Sequence, residues 1–492
     1  MKQTTLQEVR QLAAENPEAK MIPIARTLFS DIRTPLEVLR ALMNVDEHCF
    51  ILESAEDKRN MGRYTFVGYD PSMELICKDH ELIVNAGGTI RMHTEHPGQY
   101  IKQIVSENRS VRLPGLPPFT GGLVGYFSYD YIKYAEPTLN LVEGEDDSFR
   151  DMDLMLFDKL ICFDHYDKKI FLIANVKTNN IEQNYNKALI ELDNMEKLIR
   201  HGEQKNPEPG HMTSPLTLKF NEEEYCEKVE KTKHYIREGD IFQLVLSNPM
   251  TADFKGSLYN CYRVLRTTNP SPYMFYFAGQ DVEIAGASPE TLVKVEDGVI
   301  RTFPLAGTRP RGKTEEEDKA LEEGLLADEK ERAEHNMLVD LGRNDLGKLC
   351  EFGSVKVEKY MEIERYSHVM HIGSCVVGKL TPDKDAVDAV DAALPAGTLS
   401  GAPKIRACEL INELEGDKRG LYGGAVGYID FTGNLDVCIA IRLAFKHSGK
   451  VVVRTGAGIV ADSVPENEFV ECRNKAAAVV QALNLAEEMD DE

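Results

Sequence analysis

The chain has no tryptophan in 492 residues, no Cys-x-x-Cys pair among its ten cysteines, and no apolar run long enough to span a membrane. The cysteines (Cys49, Cys77, Cys162, Cys226, Cys261, Cys350, Cys375, Cys408, Cys438 and Cys472) stand far apart. The stretch Met1–Glu15 mixes charges early and lacks the apolar core of a secretory signal. Together these absences predict reduced, mostly buried thiols in a cytoplasmic protein rather than a disulfide scaffold or zinc ribbon. Positive charge is also scarce: 57 Lys and Arg against 81 Asp and Glu leave a net charge of −24. Such a surface repels phosphate backbones, so general nucleic-acid binding is excluded. An anionic substrate gets no help from that field and needs a local cation or arginine.

What is present is an ordinary globular composition, 42% hydrophobic and 28% charged. The length suggests about three domains, or fewer if large sheets merge them. The clearest break is the polar, Pro- and Gly-containing stretch His201–Pro215, which divides a region 1–205 from a region 216–492. Helical spacing of apolar residues marks Asn184–Ile199, Asn221–Glu238, Glu315–Leu341, Asp385–Ala393, Pro403–Leu414 and Pro465–Leu483. Ser463 and Glu466 fit a capping box for the last, with Pro465 in its first turn. β-rich runs occur at Cys49–Glu53, Glu74–Cys77, Leu82–Asn85, Gly122–Ser128 and Lys169–Ala174 in the first region. In the second they occur at Ile241–Leu246, Tyr273–Phe277, Thr291–Glu296, Gly424–Asp430, Asp436–Phe445 and Lys450–Ala457. Strands do not alternate one-for-one with helices, which predicts an α+β fold with large antiparallel sheets rather than a doubly wound parallel one.

Gly456-Ala457-Gly458-Ile459-Val460-Ala461 matches a loose dinucleotide pattern, but Pro465 starts the helix too late for the glycines to cap it. Gly397-Thr398-Leu399-Ser400-Gly401-Ala402-Pro403-Lys404 is not a Walker loop, because Pro403 intervenes and no Ser or Thr follows Lys404. Two carboxylate clusters say more. Asp328, Glu331, Glu334, His335 and Leu338 share one helical face, as do Glu468, Glu471 and Lys475. Carboxylates from two helices, leaving room for water and a substrate carboxylate, suit Mg²⁺; spacing alone is equally met by a solvated helix face. His368 and His371, three apart, are open to metal or to plain burial.

The second region resembles the chorismate-utilising enzymes over about its whole length, through IAGASPETLV, FPLAGTRPRG, ERAEHNMLVDLGRNDLG, SHVMH, GTLSGAPK, YGGAVGY, AIRLAF and RTGAGIVADSVPENEFVECRNKA. The first region adds ILES and GGLVGYFSYD, and the strings are most similar to the anthranilate-forming branch. The resemblance implies antiparallel sheets packed as a sandwich with helices outside. It implies Glu334 and Glu471 as Mg²⁺ ligands, Glu290, His371, Thr398 and Lys475 as catalytic residues, and Gly307, Thr308, Tyr422, Arg442, Gly456, Ala457 and Gly458 as chorismate contacts. Glu290, kept protonated, would donate to the departing 4-hydroxyl, and His371 would assist the later proton removal.

Within the family, members that add water carry a lysine where this chain has Gln243, and aminodeoxychorismate synthases often carry one where it has Ala306. An amide and a methyl group neither activate water nor attack carbon, which leaves ammonia as the nucleophile. The resemblance thus implies Mg²⁺-dependent conversion of chorismate and ammonia to anthranilate and pyruvate, the first committed step of tryptophan biosynthesis. This chain has no G-x-C-x-G nucleophile elbow, so the ammonia would come from a glutamine amidotransferase subunit, in an expected heterotetramer of two of each. Glu53-Ser54 and Pro272-Tyr273-Met274 match a tryptophan feedback site, and region 1–205 is expected to be regulatory and to meet the partner. A chain made when tryptophan is scarce gains by needing none. The rival readings are an aminodeoxychorismate synthase large subunit and a non-catalytic tryptophan sensor.

Overall fold

Every strand pairing is antiparallel, and the strands form two large sheets, one of 13 and one of 12 strands among the described residues. The computed structural model describes residues 3–56, 61–141, 149–365 and 369–489. The regions on either side of the His201–Pro215 break do not stand apart. Each supplies one part of each sheet, joined where Cys49–Glu53 pairs with Tyr273–Ala278 and where Gly122–Phe127 pairs with Ala425–Asp430.

Alternation along the strands gives each sheet two apolar faces, and both are covered. The inner faces meet in an aromatic layer that includes Phe50, Tyr126, Phe157, Phe275 and Phe277. Phe50 of one sheet meets Phe157 of the other edge-on, ring centroids 4.7 Å apart. Each such buried ring contributes roughly 2–3 kcal/mol. Helices cover the outer faces: Ile181–His201, Tyr259–Thr268 and Pro465–Glu487 on the first sheet, and Pro97–Glu107, Glu329–Gly347 and Ala386–Ala393 on the second. This is the expected α+β sandwich. Among the described residues no helix is long and apolar enough to cross a membrane.

Three sequence expectations need correction. The helix expected over Glu315–Leu341 is two, Glu315–Ala327 and Glu329–Gly347. They part at Asp328, whose side chain accepts the N–H groups of Lys330 and Glu331 and so caps the second. The capping box at Ser463 does not form. Ser463 Oγ accepts from Val460 N at 3.1 Å within a turn, and Val464 stands at the helix cap position.

The third correction positions the site. The run Asp436–Phe445 is two strands in different sheets: Leu435–Ile439 in the second and Leu443–His447 in the first. The chain crosses between them with Arg442 at φ +54°, a left-handed conformation that hydrophobic alternation cannot report. A second crossing runs alongside, from Val282–Ser288 to Thr291–Glu296 through Pro289-Glu290. The two are laced together: Ala287 N donates to Arg442 O at 3.0 Å, Ile439 N to Glu290 O at 2.9 Å, and Ser288 Oγ to Ile439 O at 2.7 Å. Glu290 and Arg442 thus reach one corner of the sandwich.

Candidate active site

At that corner the Glu290 side chain is buried, and Thr398 Oγ1 donates to its carboxyl at 3.3 Å. Burial pushes the Glu290 pKa up to about 8, against the opposing pull of Thr398 and the Lys475 ammonium. Glu290 therefore holds a proton at neutral pH, as a general acid must. Thr398 lies in a short 3₁₀ turn, Gly397–Leu399.

Facing it are two helices with carboxylates. Glu334, on Glu329–Gly347, receives a long hydrogen bond, 3.5 Å, from Gln243 Nε2. Burial and then the Glu331 charge push its carboxyl pKa up. Glu471, on the C-terminal helix, pairs with Lys475 Nζ at 2.7 Å one turn along, and Lys475 Nζ also donates to Gly456 O at 3.1 Å. The Lys475 charge, on the C-terminal helix, acts on Glu334 as well. Among the described residues no three His, Cys, Asp or Glu gather as a metal cage. A two-carboxylate site completed by water and substrate oxygens remains a fit for Mg²⁺, and the incompletely compensated Glu334 suits a cation. Its helical neighbours do otherwise. Asp328 and Glu331 pair with Arg309 at 3.0 and 3.2 Å, and His335 is buried against Ser374 Oγ at 2.6 Å.

The remaining side of the corner is built from backbone. Gly456, Ala457 and Gly458 pair with Ser247, Leu246 and Val245 along one edge only; pairing along the other stops at Val452. Gly456 O turns to Lys475, away from the paired strand. Since N–H and C=O of one residue point the same way in an antiparallel strand, the Gly456 N–H faces that open edge, and by alternation so does that of Gly458. A Cβ at Gly456 would lie 2.7 Å from Leu246 O and 3.0 Å from the Tyr422 hydroxyl, so the close approach of the Leu246 carbonyl requires glycine. Arg442 Nη1 donates to Lys475 O at 2.6 Å, which ties the crossing to the C-terminal helix. Nδ1 of His371 lies 2.9 Å from Gly307 O and 3.1 Å from Thr308 Oγ1. Burial, and less so the Arg442 charge, push the imidazole pKa down against the opposing hydrogen bond to Gly307 O. With Nδ1–H donating to Gly307 O, the ring lone pair sits on Nε2. His368 lies outside the described residues.

The family described as chorismate binding enzyme matches residues 47–481. The chain is 44% identical over 494 residues to anthranilate synthase component 1 of Acetivibrio thermocellus, covering 99% of each. It is 45% identical over 498 residues to that of Aquifex aeolicus, again covering 99% of each. The crystal structure of anthranilate synthase component I from Streptococcus pneumoniae TIGR4 superposes with a TM-score of 0.75 at 39% identity, over 85% of this chain and 92% of that one. The chain belongs to the chorismate-binding enzymes, in the anthranilate synthase component I family.

A second cavity in this family member, about 250 Å³, opens between the sheets. Ser54, Pro272, Tyr273 and Met274 all line it, although Ser54 lies more than 200 positions from the others. Glu53 shares the lining, but its carboxylate is held by Arg266 and by the Tyr262 hydroxyl at 2.5 Å. Tyr273 presents its ring, while its hydroxyl bonds Thr291 Oγ1 and Asp436 Oδ1 at 2.8 Å each. Thr291, which Tyr273 bonds behind the wall, follows Glu290 in the chain. The opposite wall, including Lys294, Tyr428, Asn434 and Asp436, was not foreseen from the sequence. The one available signal was the Thr432-Gly433-Asn434 hairpin turn, which fixes Asp436 in the adjoining strand.

Proposed function

We propose that this chain is the ammonia-using large subunit of an anthranilate synthase, converting chorismate and ammonia to anthranilate and pyruvate. The observation that carries the reading is the buried, proton-bearing Glu290 at the same corner as Arg442 and the open Gly456–Gly458 edge. In a chain of net charge −24, the dicarboxylate substrate is held locally, by the Arg442 guanidinium and the strand N–H groups. Ammonia adds at ring C2 while Glu290 gives its proton to the 4-hydroxyl, which departs as water. His371 then assists removal of the proton at C2; the enolpyruvyl group leaves as pyruvate and the ring becomes aromatic. Glu334 and Glu471 would hold Mg²⁺, which when bound supplies charge stabilisation at the ring carboxylate. Gln243 and Ala306, lacking a basic amine, offer no competing nucleophile. The cavity containing Ser54 and Met274 takes L-tryptophan as feedback inhibitor. The component 1 relatives imply a second component, which in this reading is a cytoplasmic glutamine amidotransferase assembled two-and-two with this chain.

The test uses the purified chain with chorismate and Mg²⁺. Ammonium salt at raised pH should give anthranilate, glutamine alone should not, and chelation should stop turnover reversibly. Glutamine use by this chain alone, or full activity in excess chelator, would refute the corresponding part.

A further inference from the structure

Beneath the floor of the candidate site lies a charged cluster that no step above uses. Glu415, Arg419 and Arg454 have side chains 0%, 1% and 3% exposed. Three charges so deeply buried persist only where nearly every donor and acceptor is matched, and here they are. Glu415 Oε1 accepts from Ser247 N at 2.7 Å and Ser247 Oγ at 2.9 Å. Glu415 Oε2 accepts from Arg419 Nε at 2.9 Å and Arg454 Nη2 at 3.1 Å. Arg454 Nε reaches Ser247 Oγ at 2.8 Å.

Arg419 Nη2 also donates to Glu415 Oε1 at 2.5 Å, and the guanidinium reaches two main-chain carbonyls as well: Nη1 on Leu399 O and Nη2 on Val245 O, each at 2.6 Å. Its guanidinium also lies over the Tyr129 ring, 4.7 Å from the centroid, and 5.7 Å from that of Tyr422. Each anchored segment carries a site group. Leu399 follows Thr398, the donor to Glu290. Val245 and Ser247 are the register partners of Gly458 and Gly456. Tyr422 packs against Gly456. None of these segments is near another in sequence, and one planar fork touches all of them.

Resting on the functional reading above, we infer that Arg419 is a positioning residue: its guanidinium, oriented by Glu415, fixes the Thr398 turn against the Gly456–Gly458 strand and so sets the aim of Glu290. A lysine there keeps the charge but not the fork, so it can satisfy one carbonyl and not both. A small displacement of Thr398 loosens its hydrogen bond to the ionised form of Glu290. That raises the Glu290 pKa, because the Thr398 hydroxyl and the facing Lys475 are the groups that hold it down.

The experiment compares wild type, Arg419→Lys, Thr398→Val and the double variant by kcat, chorismate KM, the pH profile of kcat and thermal unfolding. Arg419→Lys is expected to lower kcat by about tenfold or more with KM changed by less than about threefold, as for lost transition-state alignment. The alkaline limb of kcat should move to higher pH in both single variants, with no further movement in the double. Glu415→Gln should give the same split at smaller size. An unchanged kcat, equal losses in kcat and KM, additive limb shifts, or failure of both Arg419→Lys and Glu415→Gln to fold would overturn the positioning role. The two readings separate cleanly. Anthranilate formation by wild type with an unaltered Arg419→Lys kcat sinks only the inference. A different chorismate product, still lost from kcat in Arg419→Lys, sinks only the functional reading.

Discussion

Glu290 is a carboxyl group placed where ionisation is disfavoured, and that placement has a thermodynamic signature separate from catalysis. Its folded pKa, about 8, lies above the ordinary 4.5, so the folded state holds the proton longer than the unfolded chain does. Stability is therefore lost as pH rises from about 4.5 through about 8. Glu290→Gln removes that dependence. Its melting temperature should gain on wild type across the window and level off above it, the difference at high pH being on the order of a few kcal/mol. The same variant should lose about 10²–10⁴-fold in kcat, the usual worth of a general acid. Melting curves over pH check the first expectation and chorismate turnover the second; parallel pH–stability profiles would mean that Glu290 is ionised in the fold. Glu290 was legible in the sequence through its Ser288-Pro289-Glu290 string. Its burial was not, because the crossing that buries it depends on a strand more than 140 positions away.

At the scale of elements, the strand Lys450–Ile459 supplies the anion-facing edge, and Gly456 is its tightest point. Gly456→Ala should push the Tyr422 hydroxyl away and crowd Leu246 O, raising chorismate KM by about tenfold and costing about 1–3 kcal/mol of stability. Steady-state kinetics and denaturant unfolding measure both, and an unchanged KM would remove that edge from the binding surface. Apolar spacing placed the helices Ile181–His201 and Glu222–Glu238, whereas strands buried on both faces, such as Met152–Phe157 and Lys159–Asp164, show no alternation and went unread. The strand Thr291–Glu296 and the helix Ala386–Ala393 lie where alternation and the Asp385 cap put them. The two misread runs share a cause. Asp436–Phe445 is a nearly continuous apolar run, yet Arg442 turns left-handed and sends it to the other sheet. Glu315–Leu341 keeps helical spacing through Asp328, where side-chain capping ends one helix and starts another. Periodicity reports which face a residue is on; it does not report φ, nor which backbone group a short polar side chain prefers.

The whole molecule joins two sites through the two sheets. The cavity with Ser54 and Met274 and the corner with Glu290 share the strands Thr291–Glu296 and Leu435–Ile439. L-tryptophan in that cavity inhibits only if it binds better to a conformation that holds chorismate poorly, and linkage makes the antagonism mutual. Because the chain has no tryptophan of its own, the ligand's fluorescence reports binding without background. Tryptophan should bind, inhibit, and be weakened by chorismate, while Ser54→Phe should abolish inhibition with kcat within about twofold of wild type. Binding that is indifferent to chorismate would leave the cavity a tryptophan site with no coupling to catalysis. That Ser54 and Met274 meet was suggested by the family strings alone. No local pattern joins residues so far apart, and Lys294 and Asp436 across the cavity carried no such string.

In the proposed reaction the buried acid and the ammonia-accepting corner together turn chorismate into an aromatic amine with loss of the side chain. Mass identification of the products from chorismate, Mg²⁺ and ¹⁵N-ammonium tests it most directly. ¹⁵N-anthranilate and pyruvate should form in equal amounts. A major product that keeps the enolpyruvyl group, whether a 4-amino compound or isochorismate, would contradict it.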